Sequence, residues 1–486
     1  MLRFQSHLLQ LITVLTLALL SACAGPAREP VNASPGPLRV HPDNPRYFTD
    51  NSGKAIYLTG FHTWANLQEF SDDSTRPFDY DGYLELLESN NCNFIRLWTW
   101  ENAAWASWAP ATAKARIGPM FRYRRTGPGL AADSLPKFDV TSYNPVYFDR
   151  LRERVELAGQ RGMYVMVMLF QGWSIERKGN HKGDSAYGNP WWGHPFNRAN
   201  NVNGIDGDLN GNGEGEEIHQ LADERITAIQ QAYIRKVVDT LNDLDNILYE
   251  ISNESNKNST GWHYAMIDYI HEYEKTKPKQ HPVVMTFHYQ GGKNSELFAS
   301  PAEAVSPNPG DDQEYRQGPS PADGSKIVLA DTDHLWGIGG NRKWVWRCFT
   351  RGVQPMFMDP LEPLFAQQQR EDNIPDWPEY VEIRRNMGFT RMFAERIDLT
   401  AAEPVPELAS TGYCLAVLES GREELVVYLP DGGAVEVDLG GIPGTLEGEW
   451  FDPTCGVTAD RFGIDGGGRV SLTAPFGGHA VLYLHR

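Results

Sequence analysis

Two hydrophobic periods alternate through the middle of the chain. Compact apolar runs recur, each followed by a segment whose apolar positions repeat every three or four residues. The runs are Ala55 to Trp64, Asn93 to Trp100, Tyr164 to Phe170, Asn246 to Asn253, His281 to His288, Glu303 to Pro307, Lys326 to Asp331 and Gln354 to Asp359. The helical segments between and after them include 78–90, 145–162, 223–242, 342–351 and 379–396. Runs such as YVMVMLF are apolar at every position rather than at every second one, as parallel strands covered on both faces require. Eight strands alternating with helices predict an α/β chain whose core, residues 38–402, is a (β/α)8 TIM barrel. From about Glu403 the rhythm changes to short strands separated by turns, among them CLAVLES, ELVVYLP, AVEVDLG and HAVLYL. That predicts a small all-β sandwich over 403–486.

Ahead of the barrel lies a different kind of segment. Arg3 precedes the apolar run Leu8 to Leu20, which is short for a membrane span but right for the core of a signal peptide. Leu20-Ser21-Ala22-Cys23 resembles a bacterial lipobox, which implies a leader over 1–22, cleavage before Cys23 and acylation of its thiol. Ala24 behind the cysteine resembles the outer-membrane sorting pattern, and residues 23–37, rich in Pro, Ala and Gly, read as a tether. The expectation is an exported, monomeric lipoprotein held at the outer membrane or cell surface. The formal charge of −19 with no offsetting basic patch argues against nucleic acid as a partner. Of the remaining cysteines, Cys414 and Cys455 fall in the sandwich as candidates for a bridge, whereas Cys92 and Cys348 flank barrel strands; no spacing suggests zinc.

The chemistry gathers at the strand ends, where a parallel barrel keeps its active site. Asn246 to Ser255, NILYEISNES, drives a buried strand into the pair Asn253-Glu254. These residues resemble the acid/base strand of clan A glycoside hydrolases. The resemblance implies that Glu254 protonates the leaving oxygen and that Asn253 holds a sugar 2-hydroxyl. Glu250, deeper on the same strand, reads as a structural carboxylate. Arg96 resembles the strand-two arginine of that clan, which supports the nucleophile. At the seventh strand the clan carries a nucleophilic glutamate, but the tip here reads Asp331-Thr332-Asp333-His334-Leu335-Trp336. Both Asp331 and Asp333 are candidates, with Asp331 preferred because it ends the strand proper. A retaining mechanism needs the two carboxyl groups about 5–5.5 Å apart, and a wider gap implies inversion. Candidate sugar contacts are His62, Trp64, Trp100, Glu101, Trp173, Trp192, His288, Tyr289, His334 and Trp336. Several of the 14 Trp residues fall at these tips, where flat rings suit sugar faces.

Between the third and fourth strands lies an insertion of about 50 residues, a length that is functional or disordered. Its WWGHPFNRANN reads as a lid, with Trp191, Trp192 and His194 toward the substrate. Its acidic loop places Asp206, Asp208, Asn210, Glu214 and Glu217 at positions 1, 3, 5, 9 and 12 with Gly211 at position 6, the spacing of an EF-hand calcium loop without the preceding helix. The loop is therefore a candidate for an isolated structural calcium, the alternative being a flexible acidic loop, and no cofactor is expected for the chemistry. The opening PLRVHPDNPRYFTDNSGKAIYLTGFHTW and the helix EYVEIRRNMGFTRMFAERI resemble apiosidase-like glycosidases, whose C-terminal sandwich carries a collagen-binding label. The reading is a retaining glycosidase of poly- or oligosaccharides. The competing classes are a non-catalytic glycan-binding lipoprotein and an adhesin acting through its sandwich.

Overall fold

The computed structural model describes residues 35–68, 70–71, 78–103, 116–117, 120–176, 189–289, 291–310, 313–361 and 378–486. The leader, Cys23, the tether up to residue 34 and Gln290 lie outside them. Among the described residues no helix is long and apolar enough to cross a membrane.

Eight parallel strands form the central sheet: Gly60–His62, Phe94–Leu97, Tyr164–Gln171, Ile247–Asn253, Val283–Thr286, Ala304–Ser306, Ile327–Asp331 and Gln354–Met358. From the second strand on, each pairs with its sequence neighbour, and the eighth returns to the first through Met356↔Gly60 and Met358↔His62. The seam between first and second strands is closed by Asn93. Its backbone N–H donates to Thr59 O, its carboxamide accepts from Thr59 N at 3.0 Å, and its NH2 donates to Tyr57 O at 2.9 Å. Gly60 is needed there because a Cβ would stand 2.0 Å from Phe94 O. The expected first strand is split in two. Ala55–Ile56 joins Arg39–Val40 and Phe48–Thr49 in a small antiparallel sheet that plugs the N-terminal end of the barrel, where Leu38 and Phe48 meet Phe94, Met166, Leu248 and Ile327. The other strands and helices fall within a few residues of their expected bounds.

Helices cover the outer face. Asp79, Asn144 and Asp223 cap Tyr80–Ser89, Pro145–Gln160 and Glu224–Leu241 by accepting first-turn N–H groups. Inward residues of these helices, such as Leu84, Leu151 and Val237, pack on Ile95, Val165 and Tyr249 of the strands.

The C-terminal region is the expected sandwich. One sheet runs in the order Glu403–Pro404, Cys414–Val417, Glu424–Leu429, Ala480–His485, Thr445–Asp452, Val457–Asp465; the second is Ala434–Asp438 with Arg469–Thr473. The central strands of the larger sheet are apolar on both faces because both are covered. Leu415, Val426, Tyr428, Phe451 and Val481 pack against barrel residues Trp346, Phe349 and Phe393, and Leu425, Val427 and Leu482 against Val435 and Val437. The sandwich thus shares a core with the barrel. The bridge considered from sequence is absent: Cys414 is buried, Cys455 exposed, and both are free thiols.

Two segments diverge from the sequence reading. The stretch after Glu101 contains a hairpin, Tyr123–Leu130 with Pro136–Tyr143, that the apolar pattern did not suggest. It bonds to the long insertion through Phe138 N–H to Asn200 O and Val202 N–H to Phe138 O. Together they bury Phe121, Phe138, Trp191, Phe196, Ile205 and Ile218 over Trp98 and Trp100. The described part of the insertion, from residue 189 on, is therefore a packed second layer on the barrel rather than a lid.

Candidate active site

The seventh strand ends in Asp331, whose side chain caps the five-residue helix Thr332–Trp336 by accepting Asp333 N–H at 2.9 Å. That turn fixes where the two aspartates point. Asp331 is fully buried: Oδ1 also accepts from His62 Nε2 at 3.0 Å and Oδ2 from Arg96 Nη1 at 3.1 Å. Trp98 donates to His62 Nδ1 at 2.8 Å, so the His62 proton sits on Nε2, facing Asp331. Asp333 instead reaches a cavity of about 440 Å³ at the C-terminal mouth of the barrel. Its Oδ1 accepts from Trp64 Nε1 at 3.1 Å and its Oδ2 lies 3.4 Å from Arg96 Nη1.

Arg96 is the hub beneath the floor. Its guanidinium donates from Nε to Glu250 at 2.8 Å, from Nη2 to Glu250 and, at 2.7 Å, to Asn253 Oδ1, and from Nη1 to Asp331. The Trp98 ring covers it at 4.5 Å. Burial opposes its charge, but Glu250 and the two aspartates outweigh this and hold it firmly protonated. Burial likewise opposes ionisation of Asp331, yet His62 and Arg96 keep its pKa well below the usual carboxylate range. Asp333 moves the other way. Burial first, and then the negative charge of Asp331, push it up to about 6.

The fourth strand supplies the opposing carboxylate. Its ladder ends at Asn253↔Gln171, and Glu254 then takes a left-handed backbone, φ +42°, rather than continuing the alternation that would align it with Glu250. The third strand's Gln171-Gly172-Trp173 makes this possible. Gln171 Oε1 accepts from Asn253 Nδ2 at 3.0 Å; Gly172 lets the Glu254 carbonyl approach to where a Cβ would be 2.3 Å away; Trp173 Nε1 donates to Glu254 Oε2. Donor oxygens of Glu254 and Asp333 and a ring nitrogen of His334 all lie within 4.8 Å of one another. Those three could hold a cation by type, but His334 has no lone pair to give. Ser306 Oγ meets its Nδ1 at 2.8 Å and Asn253 Oδ1 its Nε2 at 3.0 Å, and burial drives its pKa well below 6.5. The arrangement suits acid/base and nucleophilic work by two carboxyl groups more than metal binding.

A family model described as a domain of unknown function, DUF6298, matches residues 117–289, which span the second layer and the Glu254 strand. No curated protein is significantly similar in sequence. Among solved structures, one named simply as a glycoside hydrolase superposes with a TM-score of 0.57 at 13% identity, covering 93% of this chain and 97% of that one. A glycoside hydrolase family 5 structure from Bacteroides vulgatus ATCC 8482 gives 0.58 at 12% identity, covering 93% of both chains. The chain has their (β/α)8 fold.

Of the side chains expected at the substrate, Trp64, Trp100, Trp173, Asn253, Glu254, Tyr289, Asp333, His334 and Trp336 line the cavity. Others do not. His62, Arg96 and Asp331 form the buried layer beneath it. Glu101 is buried among Arg122, His194 and His219, and Oε1 accepts Gln171 N–H at 2.8 Å; burial opposes its charge, but Arg122 and His194 lower its pKa to about 2. It braces the third strand's tip. His288 is buried against His263, ring centroids 4.7 Å apart. Trp191 and His194 stack on each other inside the second layer, and Trp192, 43% exposed, lies outside the cavity. Trp98, Phe287 and Arg316 line it and were not anticipated. Phe287 was visible as the apolar residue ending the fifth run, but nothing in the sequence singles out Arg316.

The acidic loop does not converge as an EF-hand would. Asp206 Oδ1 accepts Asp208 N–H, Asn210 Oδ1 accepts Asn212 N–H, Asp208 Oδ2 accepts Gly213 N–H at 2.9 Å, and Glu217 Oε1 accepts Asn210 N–H. Glu214 meets Glu176 and Glu216 instead. Asp208 Oδ1, Glu216 Oε2 and Glu217 Oε2 are buried atoms without a hydrogen-bond partner.

Proposed function

We propose that this chain is a glycoside hydrolase that cleaves a poly- or oligosaccharide by a retaining, two-carboxylate mechanism with Asp333 as nucleophile and Glu254 as acid/base. The observation that carries it is the meeting of Glu254 and Asp333 oxygens within 4.8 Å across an aromatic-lined cavity, the close spacing of retaining enzymes and well short of an inverting gap. In the first step an Asp333 oxygen attacks the anomeric carbon while Glu254 gives its proton to the leaving oxygen. In the second, Glu254 takes a proton from water, which displaces Asp333 from the same carbon. Arg96 and the Trp64 N–H stabilise the Asp333 carboxylate when it leaves. Asp331, with both oxygens committed and no access to the cavity, sets the charge beneath Asp333 and does not attack. The glycoside hydrolase names of the structural neighbours support the reaction class. A purely glycan-binding role leaves the two facing carboxylates unexplained.

The narrower kinship to apiosidase-like glycosidases rests on the sequence motifs alone. The shared core with the barrel supports a structural role for the sandwich. We also read Cys23 as the lipid anchor and the acidic loop as a calcium site, where Glu214 and Glu216 bring carboxylate oxygens within 4.8 Å of each other and of Glu176.

The test is the dependence of Glu254→Gln on leaving group. Loss of the proton donor should cost about 10²–10⁴-fold on glycosides with poor leaving groups, and far less on activated aryl glycosides that need little protonation. Equal losses on both would reject Glu254 as the acid.

A further inference from the structure

Arg316 is the only lysine or arginine lining the cavity among the described residues. It sits on the short helix Glu314–Gln317, and its guanidinium is held in place from behind. Nε donates to Leu335 O, two residues beyond Asp333, and Nη1 donates to Gln313 Oε1 at 2.8 Å. Gln313 itself stands at a left-handed backbone, φ +58°, an uncommon state for a residue with a side chain. The chain carries 63 acidic against 44 basic side chains, so an arginine has carboxylates in abundance. Its neighbours in the cavity wall, Glu254 and Asp333, are also acidic. Yet Arg316 makes no ion pair among the described residues, and its Nη2 has no partner there.

A fixed guanidinium in a cavity wall, with Nε spent on a carbonyl, Nη1 on an amide and Nη2 uncommitted, is a ready donor for an anion. Resting on the glycosidase reading above, we propose that the substrate carries an anionic group on the sugar bound in this cavity, a uronate carboxylate or a sulfate ester, and that Arg316 selects it. The tryptophans supply stacking for the ring face and Arg316 supplies the charge discrimination. The net negative charge of the chain repels such a substrate at long range, which makes a local cation the element that decides its acceptance.

The experiment compares wild type, Arg316→Gln and Arg316→Lys on matched oligosaccharides. One set contains uronates and the same oligosaccharides after carboxyl reduction; the other contains sulfated and enzymatically desulfated pairs. Wild type should prefer one anionic member over its neutral partner by about 10²-fold in kcat/KM, and the set in which this occurs identifies carboxylate or sulfate. Arg316→Gln should erase that ratio, Arg316→Lys should restore part of it, and raised salt should reduce it in wild type alone. A wild type that turns over neutral glycosides with no anionic preference, or an Arg316→Gln variant that keeps the ratio, overturns the inference while leaving the glycosidase reading standing. Failure of Glu254-dependent turnover on every glycoside overturns the reading beneath it.

Discussion

Replacing Asp331 by Asn separates the two aspartates. Asp333 is raised from 3.8 to about 6, a shift of about 3 kcal/mol against its ionised form at 1.36 kcal/mol per unit. Burial is the larger cause and Asp331 the second. A neighbouring unit charge at an effective dielectric near 20 contributes a few kcal/mol at contact range, and Arg96, whose Nη1 lies 3.1 Å from Asp331 Oδ2 and 3.4 Å from Asp333 Oδ2, cancels part of this. Removing the Asp331 charge should therefore lower the Asp333 pKa by about one unit. The nucleophile must be ionised, so the ascending limb of kcat/KM against pH should lie near 6 in wild type and near 5 in Asp331→Asn. Asn still accepts from His62 and Asp333 N–H, so turnover on its plateau survives. The sign carries over to stability. A carboxyl group whose folded pKa is raised contributes stability below its unfolded value, near 4, and that contribution is lost as pH rises through about 6. Wild type should lose more stability than the variant across this window. The assay is the pH profile of an activated aryl glycoside, with folded fraction checked at each pH. An Asp331→Asn enzyme with no turnover at any pH, beside an active Asp333→Asn, would move the nucleophile to Asp331.

Further outcomes follow from the layers around that pair. Arg96→Met leaves Glu250, Asp331 and Asp333 in a buried site without their cation, which should cost about 3–5 kcal/mol in denaturant unfolding at pH 7 and less near pH 4, where carboxyl groups take up protons; equal stability at pH 7 would refute the hub role. If calcium fills the acidic loop, EDTA should lower the melting temperature and calcium restore it, whereas no shift in either direction would remove the metal. Cys23→Ser should transfer the protein from the membrane to the soluble fraction; unchanged membrane association would exclude the thiol as anchor.

The barrel was legible because its signal is strong and local. Fully buried parallel strands such as Tyr164–Gln171 and Ile247–Asn253 are continuous apolar runs, and the capped helices between them repeat at helical spacing. Arg96 and Glu254 were readable for a related reason, being charged residues set into apolar strands. What the sequence hid was direction. Period-two alternation places Glu254 beside Glu250, but the strand ends at Asn253 and Glu254 turns left-handed over Gly172. The strand's end likewise favours Asp331, and alternation puts Asp333 on the same face, yet the helix that begins at Thr332 turns Asp331 inward as its cap and delivers Asp333 to the cavity. The hairpin from Tyr123 to Tyr143 hid because its outer strand face is polar and its partner, the Asn-rich insertion, lies about 60 residues on. Trp191 and His194 look like lid residues in sequence, and only their burial in the core shared with that hairpin shows otherwise.

The central claim is that Asp333 forms a bond to the sugar while Glu254 moves the proton. Incubating the enzyme with an activated 2-deoxy-2-fluoro derivative of a glycoside it turns over, then mapping peptides by mass spectrometry, tests it directly. A stoichiometric glycosyl adduct on Asp333, formed in Glu254→Gln and lost in Asp333→Asn, is the predicted result. An adduct on Asp331, or inversion at the anomeric carbon of the natural product with no adduct on any carboxylate, would contradict the account.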